Sequence, residues 1–83
     1  MSVIRGTVLD AAGKPVAGAR VYVTQAPGPV PDVAVLSDAA GRFTLAAARA
    51  GRYEVACSSD ALGGASVQVT VGSATAEVEL RLA

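Results

Sequence analysis

The sequence predicts an all-β fold: a seven-stranded antiparallel β-sandwich with Greek-key-like connections, built by residues 1–83 as one domain. Three observations carry this. Apolar and polar residues alternate with a period of two through seven short segments. Gly marks most of the junctions between them. The apolar residues are mostly Ala and Val, with Leu scarce. That palette lines a thin core between two sheets better than a helical bundle, because Val is stiff at χ1 and a poor helix former.

Taken in order, the segment 3–9 sets Ile4, Gly6 and Val8 against Arg5 and Thr7. Asp10-Ala11-Ala12-Gly13 then reads as a turn, in which the Asp side chain accepts from local N–H groups and Gly takes a positive φ. The segment 19–24 puts Ala19, Val21 and Val23 inward and Tyr22 outward. Residues 25–32 hold Pro27, Pro29 and Pro31. Proline lacks the ladder donor, so this stretch is an extended loop or edge run and not a central strand. Val33–Leu36 reads as a short strand. Asp38-Ala39-Ala40-Gly41 repeats the first turn, and the likeness of 8–14 to 35–42 reads as one turn solution used twice, with an internal duplication as the alternative. The segment 42–45 points Phe43 and Leu45 inward, and Ala46–Ala50 reads as a hairpin loop closed by Gly51. A hairpin over 41–57 would bring Arg42 and Arg52 onto neighbouring strands beside Glu54. The segment 52–57 faces Tyr53, Val55 and Cys57 inward. In 65–71, Ala65, Val67, Val69 and Val71 oppose Ser66, Gln68 and Thr70. In 74–82, Ala76, Val78, Leu80 and Leu82 oppose Thr75, Glu77, Glu79 and Arg81, and strict alternation favours a strand over the helix that these residue types also allow.

Several of these positions form an ordered set of motifs: Ile4-x-Gly6-x-Val8, Asp10-x-x-Gly13-Lys14-Pro15-Val16-x-Gly18-Ala19-x-Val21, Ser37-Asp38-x-x-Gly41-x-Phe43-x-Leu45 and Gly51-x-Tyr53-x-Val55. In this order they resemble the carboxypeptidase regulatory-like domain, a transthyretin-like (prealbumin-like) sandwich. The resemblance covers residues 3–57 by motif and the remainder by strand pattern. Its physical content is architectural. Gly6 leaves room for a facing side chain, Val16 closes one end of the core, and the Tyr53 hydroxyl needs a partner or an exit to solvent. The resemblance implies an accessory module, since such domains are reused in many contexts.

Composition narrows the chemistry. Lys plus Arg and Asp plus Glu are each 7, and the chain has no His, no Trp and one Cys. Without imidazole there is no His base or His metal ligand, and one Cys builds neither a disulfide framework nor a thiolate cluster. Zero net charge and three aromatics offer nothing to draw or stack nucleic acid. The aspartates, Asp10, Asp32, Asp38 and Asp60, fall one to a loop, which suits turn capping and not calcium. Cys57 reads as a small buried hydrophobe. Relatives of the fold with known chemistry also fit poorly. Hydroxyisourate hydrolases use histidines and a C-terminal Tyr-Arg-Gly-Ser, where this chain reads Arg81-Leu82-Ala83. Intradiol dioxygenases hold iron with Tyr and His, and isopeptide-forming adhesin repeats need a strand Lys, whereas the single Lys here, Lys14, sits in a turn. The expectation is therefore a chain that is not an enzyme and carries no cofactor or metal. No run of 18 apolar residues predicts a membrane span, and no signal peptide is legible, so the chain reads as cytoplasmic or as a module of a secreted or surface protein.

The expected function is an accessory, protein-interaction or structural module that presents loops and sheet edges to a protein partner or a neighbouring domain. A homo-oligomer through a sheet edge belongs to the same expectation, because a zero-charge, weakly charged surface favours association. The candidate contact residues are Pro27, Pro29, Pro31, Tyr22, Arg42, Arg52 and Asp60, on or beside loops 25–32 and 58–64. The alternative is a carbohydrate-binding module at a cell surface, using Tyr22 as the outward aromatic.

Overall fold

Alternation along the strands becomes two facing sheets in the computed structural model, which describes residues 2–28, 34–47, 49–60 and 63–82. The strands are β1 (Ser2–Leu9), β2 (Arg20–Gln25), β3 (Val35–Leu36), β4 (Arg42–Ala47), β5 (Gly51–Ser59), β6 (Gly63–Val71) and β7 (Ala76–Arg81). One sheet has the order β4-β1-β7 and the other β3-β2-β5-β6. The expected seven-stranded sandwich is present. All pairs are antiparallel except β1 with β7, which run parallel with Ile4 opposite Ala76 and Leu9 opposite Arg81. A parallel pair needs a long crossover, and the five intervening strands supply it.

The inward set is the one that the alternation predicts. Ile4, Val8, Val21, Val55, Val71, Leu80 and Leu82 are fully buried, with Phe43, Leu45, Tyr53 and Cys57 beside them. Val67 and Val69 on β6 and Val78 on β7 pack against this cluster but stay partly exposed, because both strands lie at sheet edges. Gly6 faces the core between its register partners Phe43 and Val78. A Cβ on Gly6 would come within 2.7 Å of Phe43 Cε2 and 2.8 Å of Val78 Cγ2. The space it leaves is therefore filled by the ring of its own sheet neighbour.

The two Asp turns are the same structure. In each, the carbonyl of the Asp accepts from the Gly N–H (Gly13 to Asp10, 3.0 Å; Gly41 to Asp38, 2.9 Å). The Asp N–H donates to the following Lys14 or Arg42 carbonyl, at 2.9 Å in both. The carboxylate accepts from Ala12 and Lys14 in one and from Ala40 and Arg42 in the other. This is a type I turn ended by a left-handed Gly (φ 83° at Gly13, 74° at Gly41). Gly41 has a second constraint, since a Cβ there would lie 2.6 Å from the Val8 carbonyl oxygen.

Between the turns, Ser37 joins the sheets. Its hydroxyl donates to the Val16 carbonyl (2.6 Å) and accepts from the Ala19 N–H (2.9 Å). Its N–H donates to the Ala19 carbonyl (3.0 Å) and its carbonyl accepts from the Gly18 N–H (2.9 Å). Ser37 is the buried polar residue of the described core. Val16 packs against the core beside it, as the end plug that the motif implies.

Three expectations change. Ala46–Ala50 is not a hairpin loop: β4 and β5 belong to different sheets, and residues 47–51 cross between them. The Tyr53 hydroxyl secures that crossing by donating to the Arg49 carbonyl (2.7 Å) and accepting from the Arg49 N–H (3.3 Å). The buried ring thereby finds its polar partner. Consequently Arg42 and Arg52 are not neighbours, and no Arg42–Arg52–Glu54 cluster exists. Glu54 instead accepts from the Thr24 hydroxyl (2.6 Å), where a bulge between Val23 and Gln25 turns Thr24 towards it. Strand β3 covers Val35–Leu36 of the expected Val33–Leu36: it ends where expected, Ala34 lies outside it, and Val33 lies outside the described residues.

Three outcomes are expected. Ser37→Ala leaves the Val16 carbonyl and the Ala19 N–H without their partner, and should cost about 1–3 kcal/mol in urea unfolding. Gly6→Ala forces the Phe43 ring from its place and should cost about 1–3 kcal/mol, with part of that loss recovered in the Gly6→Ala/Phe43→Leu double variant, as read from a double-mutant cycle. Burial pushes the Cys57 thiol above its ordinary value of 9.0, with a backbone hydrogen bond at Ala65 acting in the opposite direction. The unfolded thiol ionises before the folded one. The stability tied to Cys57 is thus intact below pH 9 and falls as pH rises from there towards the raised native value. Cys57→Ala should lose stability less steeply above pH 9 than the parent chain, measured by denaturant titration at fixed pH values.

Candidate functional site

The outer faces of the two sheets differ. Outside β3-β2-β5-β6, Tyr22 is half-buried and stands opposite Ala56, an outward alanine that is itself only 8% exposed. Phe43 and Tyr53 are in the core, so Tyr22 has no second ring beside it. Arg52 sits opposite Thr70 on the same sheet, four residues along β5 from Ala56, or roughly 13 Å at strand rise. Arg42 is on the other sheet. Asp60 is exposed at the end of β5, before the turn into β6. Pro27 is exposed and rests on Gly51, where a Cβ would come within 2.9 Å of its ring. Pro29 and Pro31 lie outside the described residues. Pro27 and Asp60 therefore mark opposite ends of β5, and among the described residues the contacts expected from sequence do not share one surface.

Outside β4-β1-β7 lies a groove of about 620 Å³. Two rows of side chains run across this face in register, all but Glu79 lining the groove. Thr44, Arg5 and Glu77 form one, and Arg42, Thr7 and Glu79 the other. Asp38 stands at the β4 end of the groove, and the backbone of Gly6, Phe43 and Val78 underlies it. Arg5 and Arg42 are diagonal neighbours, with Cβ atoms approximately 7–8 Å apart by sheet geometry. The turn below holds Asp38: one carboxylate oxygen accepts from Ala40 and Arg42 N–H groups, each at 2.9 Å. The described residues form one ion pair, Arg81 with Glu79 at 3.0 Å. Neither groove arginine makes an ion pair among the described residues.

Of the groove residues, sequence reasoning offered Arg42 alone as a contact and read Asp38 as a turn cap. Arg5, Thr7, Thr44, Glu77 and Glu79 were each readable as outward by alternation. Their common face was not, because it depends on β1 pairing with β4 on one side and β7 on the other. Among the described residues no three His, Cys, Asp or Glu side chains gather as metal ligands, and no helix is long and apolar enough to cross a membrane.

Comparison with known proteins matches this architecture. The fold is similar to that of a 5-hydroxyisourate hydrolase from Klebsiella pneumoniae, with a TM-score of 0.73 and 22% identity over 98% of this chain and 89% of that one. It is also similar to a candidate carbohydrate binding protein from Pseudomonas aeruginosa, with a TM-score of 0.66 and 21% identity over 96% of this chain and 87% of that one. At these identities the likeness shows the fold alone. No curated protein sequence matches the chain. The first similarity corrects the expectation that the chain is not an enzyme. A hydrolase uses this sandwich over nearly its whole length, so neither the architecture nor a reading of it as a purely accessory fold excludes catalysis. The family profile of the carboxypeptidase regulatory-like domain matches residues 3–83, where the motifs alone reached residue 57, and the chain belongs to that family.

Proposed function

We propose that this domain is an interaction module that takes an extended, uncharged segment of a partner protein onto the free edge of β6. The observation that supports this is the contrast between β6 and the other edges. Strand β6 runs nine residues and contains no charge and no Pro. Its inward residues Ala65, Val67 and Val69 are half-buried, and its outward residues Ser66, Gln68 and Thr70 are uncharged and exposed. Every other edge carries a device that discourages strand addition. Strand β3 is two residues long, β4 begins with Arg42, and β7 displays Glu77, Glu79 and Arg81. A partner strand on β6 would extend the ladder and cover the half-exposed valines, the usual physics of strand addition.

A second reading is carbohydrate binding. The polar groove on the opposite sheet favours it, and the fold shared with a candidate carbohydrate binding protein is in keeping with it. Tyr22 contributes little, since one half-buried ring is a poor stacking platform.

The strand-addition reading is tested with the intact domain and a synthetic peptide of the sequence 63–71 as the probe strand. Amide exchange should slow along β6 on adding peptide. The Ser66→Lys/Gln68→Lys variant should lose that protection while its stability stays within about 0.5 kcal/mol of the parent, since both sites are exposed. Unchanged β6 exchange at saturating peptide, or protection appearing at another edge instead, overturns the reading. A dimer in sedimentation that the same variant abolishes would make a second copy the occupant and replace the partner protein.

A further inference from the structure

Two guanidinium groups share the groove on β4-β1-β7, and neither makes an ion pair among the described residues. Arg5 lies opposite Glu77 in register yet makes no ion pair with it, and Glu79 is held by Arg81. Asp38 and Glu77 balance the formal charge of the lining, so an anion would be held by the directed hydrogen bonds of the two forks and not by a net positive field. The groove also selects which anion. A guanidinium fork matches a carboxylate with two parallel hydrogen bonds. Asp38 and Glu77 stand at its two sides and disfavour a second negative charge, which tells against phosphate dianions. The same carboxylates accept hydrogen bonds from hydroxyl groups, and Thr7 and Thr44 both donate and accept. The volume of about 620 Å³ falls within the range of small-ligand sites. Its lining is polar, so directional hydrogen bonds and not apolar burial must supply affinity.

We propose that this groove binds a carboxylate-bearing saccharide of the hexuronate class. The carboxylate sits on Arg5 and Arg42, and the ring hydroxyls reach Thr7, Thr44, Asp38 and Glu77. This rests on the carbohydrate reading above and names its ligand class; it is independent of strand addition at β6.

The test is an amide-resolved NMR titration of the intact domain at low salt with glucuronate, glucose, acetate and inorganic phosphate. Glucuronate should give saturable shifts confined to β1, β4 and β7, at least about tenfold tighter than the other three probes. Arg5→Ala and Arg42→Ala should each weaken it by about tenfold or more without lowering the unfolding midpoint, both residues being exposed, whereas Arg20→Ala on the other sheet should leave binding unchanged. Equal binding of glucose in the groove would overturn the carboxylate assignment and leave the carbohydrate reading standing. Acetate or phosphate matching glucuronate would reduce the site to a simple anion site and overturn the saccharide assignment. No shift in the groove with any probe would overturn both.

Discussion

The Ser37 hydroxyl is the joint on which the sandwich closes. Two sheets can face each other only if the chain passes between them without leaving buried backbone groups unpaired. Residues 16–19 make the first such passage, and Ser37 takes up both the Val16 carbonyl and the Ala19 N–H. The neighbouring bonds extend the joint, since Val8 donates to the Gly41 carbonyl (2.7 Å) and accepts from the Val16 N–H (2.9 Å). One serine, one left-handed glycine and the C-terminal end of β1 thus fix how the sheets meet. Everything placed on the outer faces inherits its position from them.

The second passage, residues 47–51, uses a different solution to the same problem. There the partner is the Tyr53 hydroxyl, reaching back to both backbone groups of Arg49. The ring stays in the core while its polar end satisfies the loop, as an amphipathic side chain is suited to do. Gly51 allows Pro27 to lie against the same crossing. A small core of Val and Ala leaves little margin, and these polar ties at the sheet junctions supply definition that bulk does not.

The outer faces divide the labour. On β4-β1-β7, charge is abundant, and the parallel entry of β7 beside β1 brings Glu77 and Glu79 next to Arg5 and Thr7. On the other sheet the last strand is devoid of charge and has an open ladder. Natural sheets usually defend such an edge. Its neutrality here, beside three edges that are defended, is what makes it informative.

The sequence by itself determined the strands, their inward faces and the two Asp–Gly turns. Each of these is a local matter: alternation follows from the two-residue period of a strand, and a turn is decided by four or five consecutive residues. The family motifs belong to the same level, since Gly6, Gly41 and Tyr53 each answer a steric or hydrogen-bonding need next to their own strand. Strand adjacency was decided by tertiary structure alone. Residues 41–57 contain two strands and a Gly, a pattern shared by a hairpin and by a crossing between sheets, and only the core burial of Phe43 and Tyr53 from opposite sides separates them. For that reason Arg42 parted from Arg52 and joined Arg5, a residue 37 positions earlier in the chain, because register between distant strands is set by how the whole core packs and not by any window of sequence.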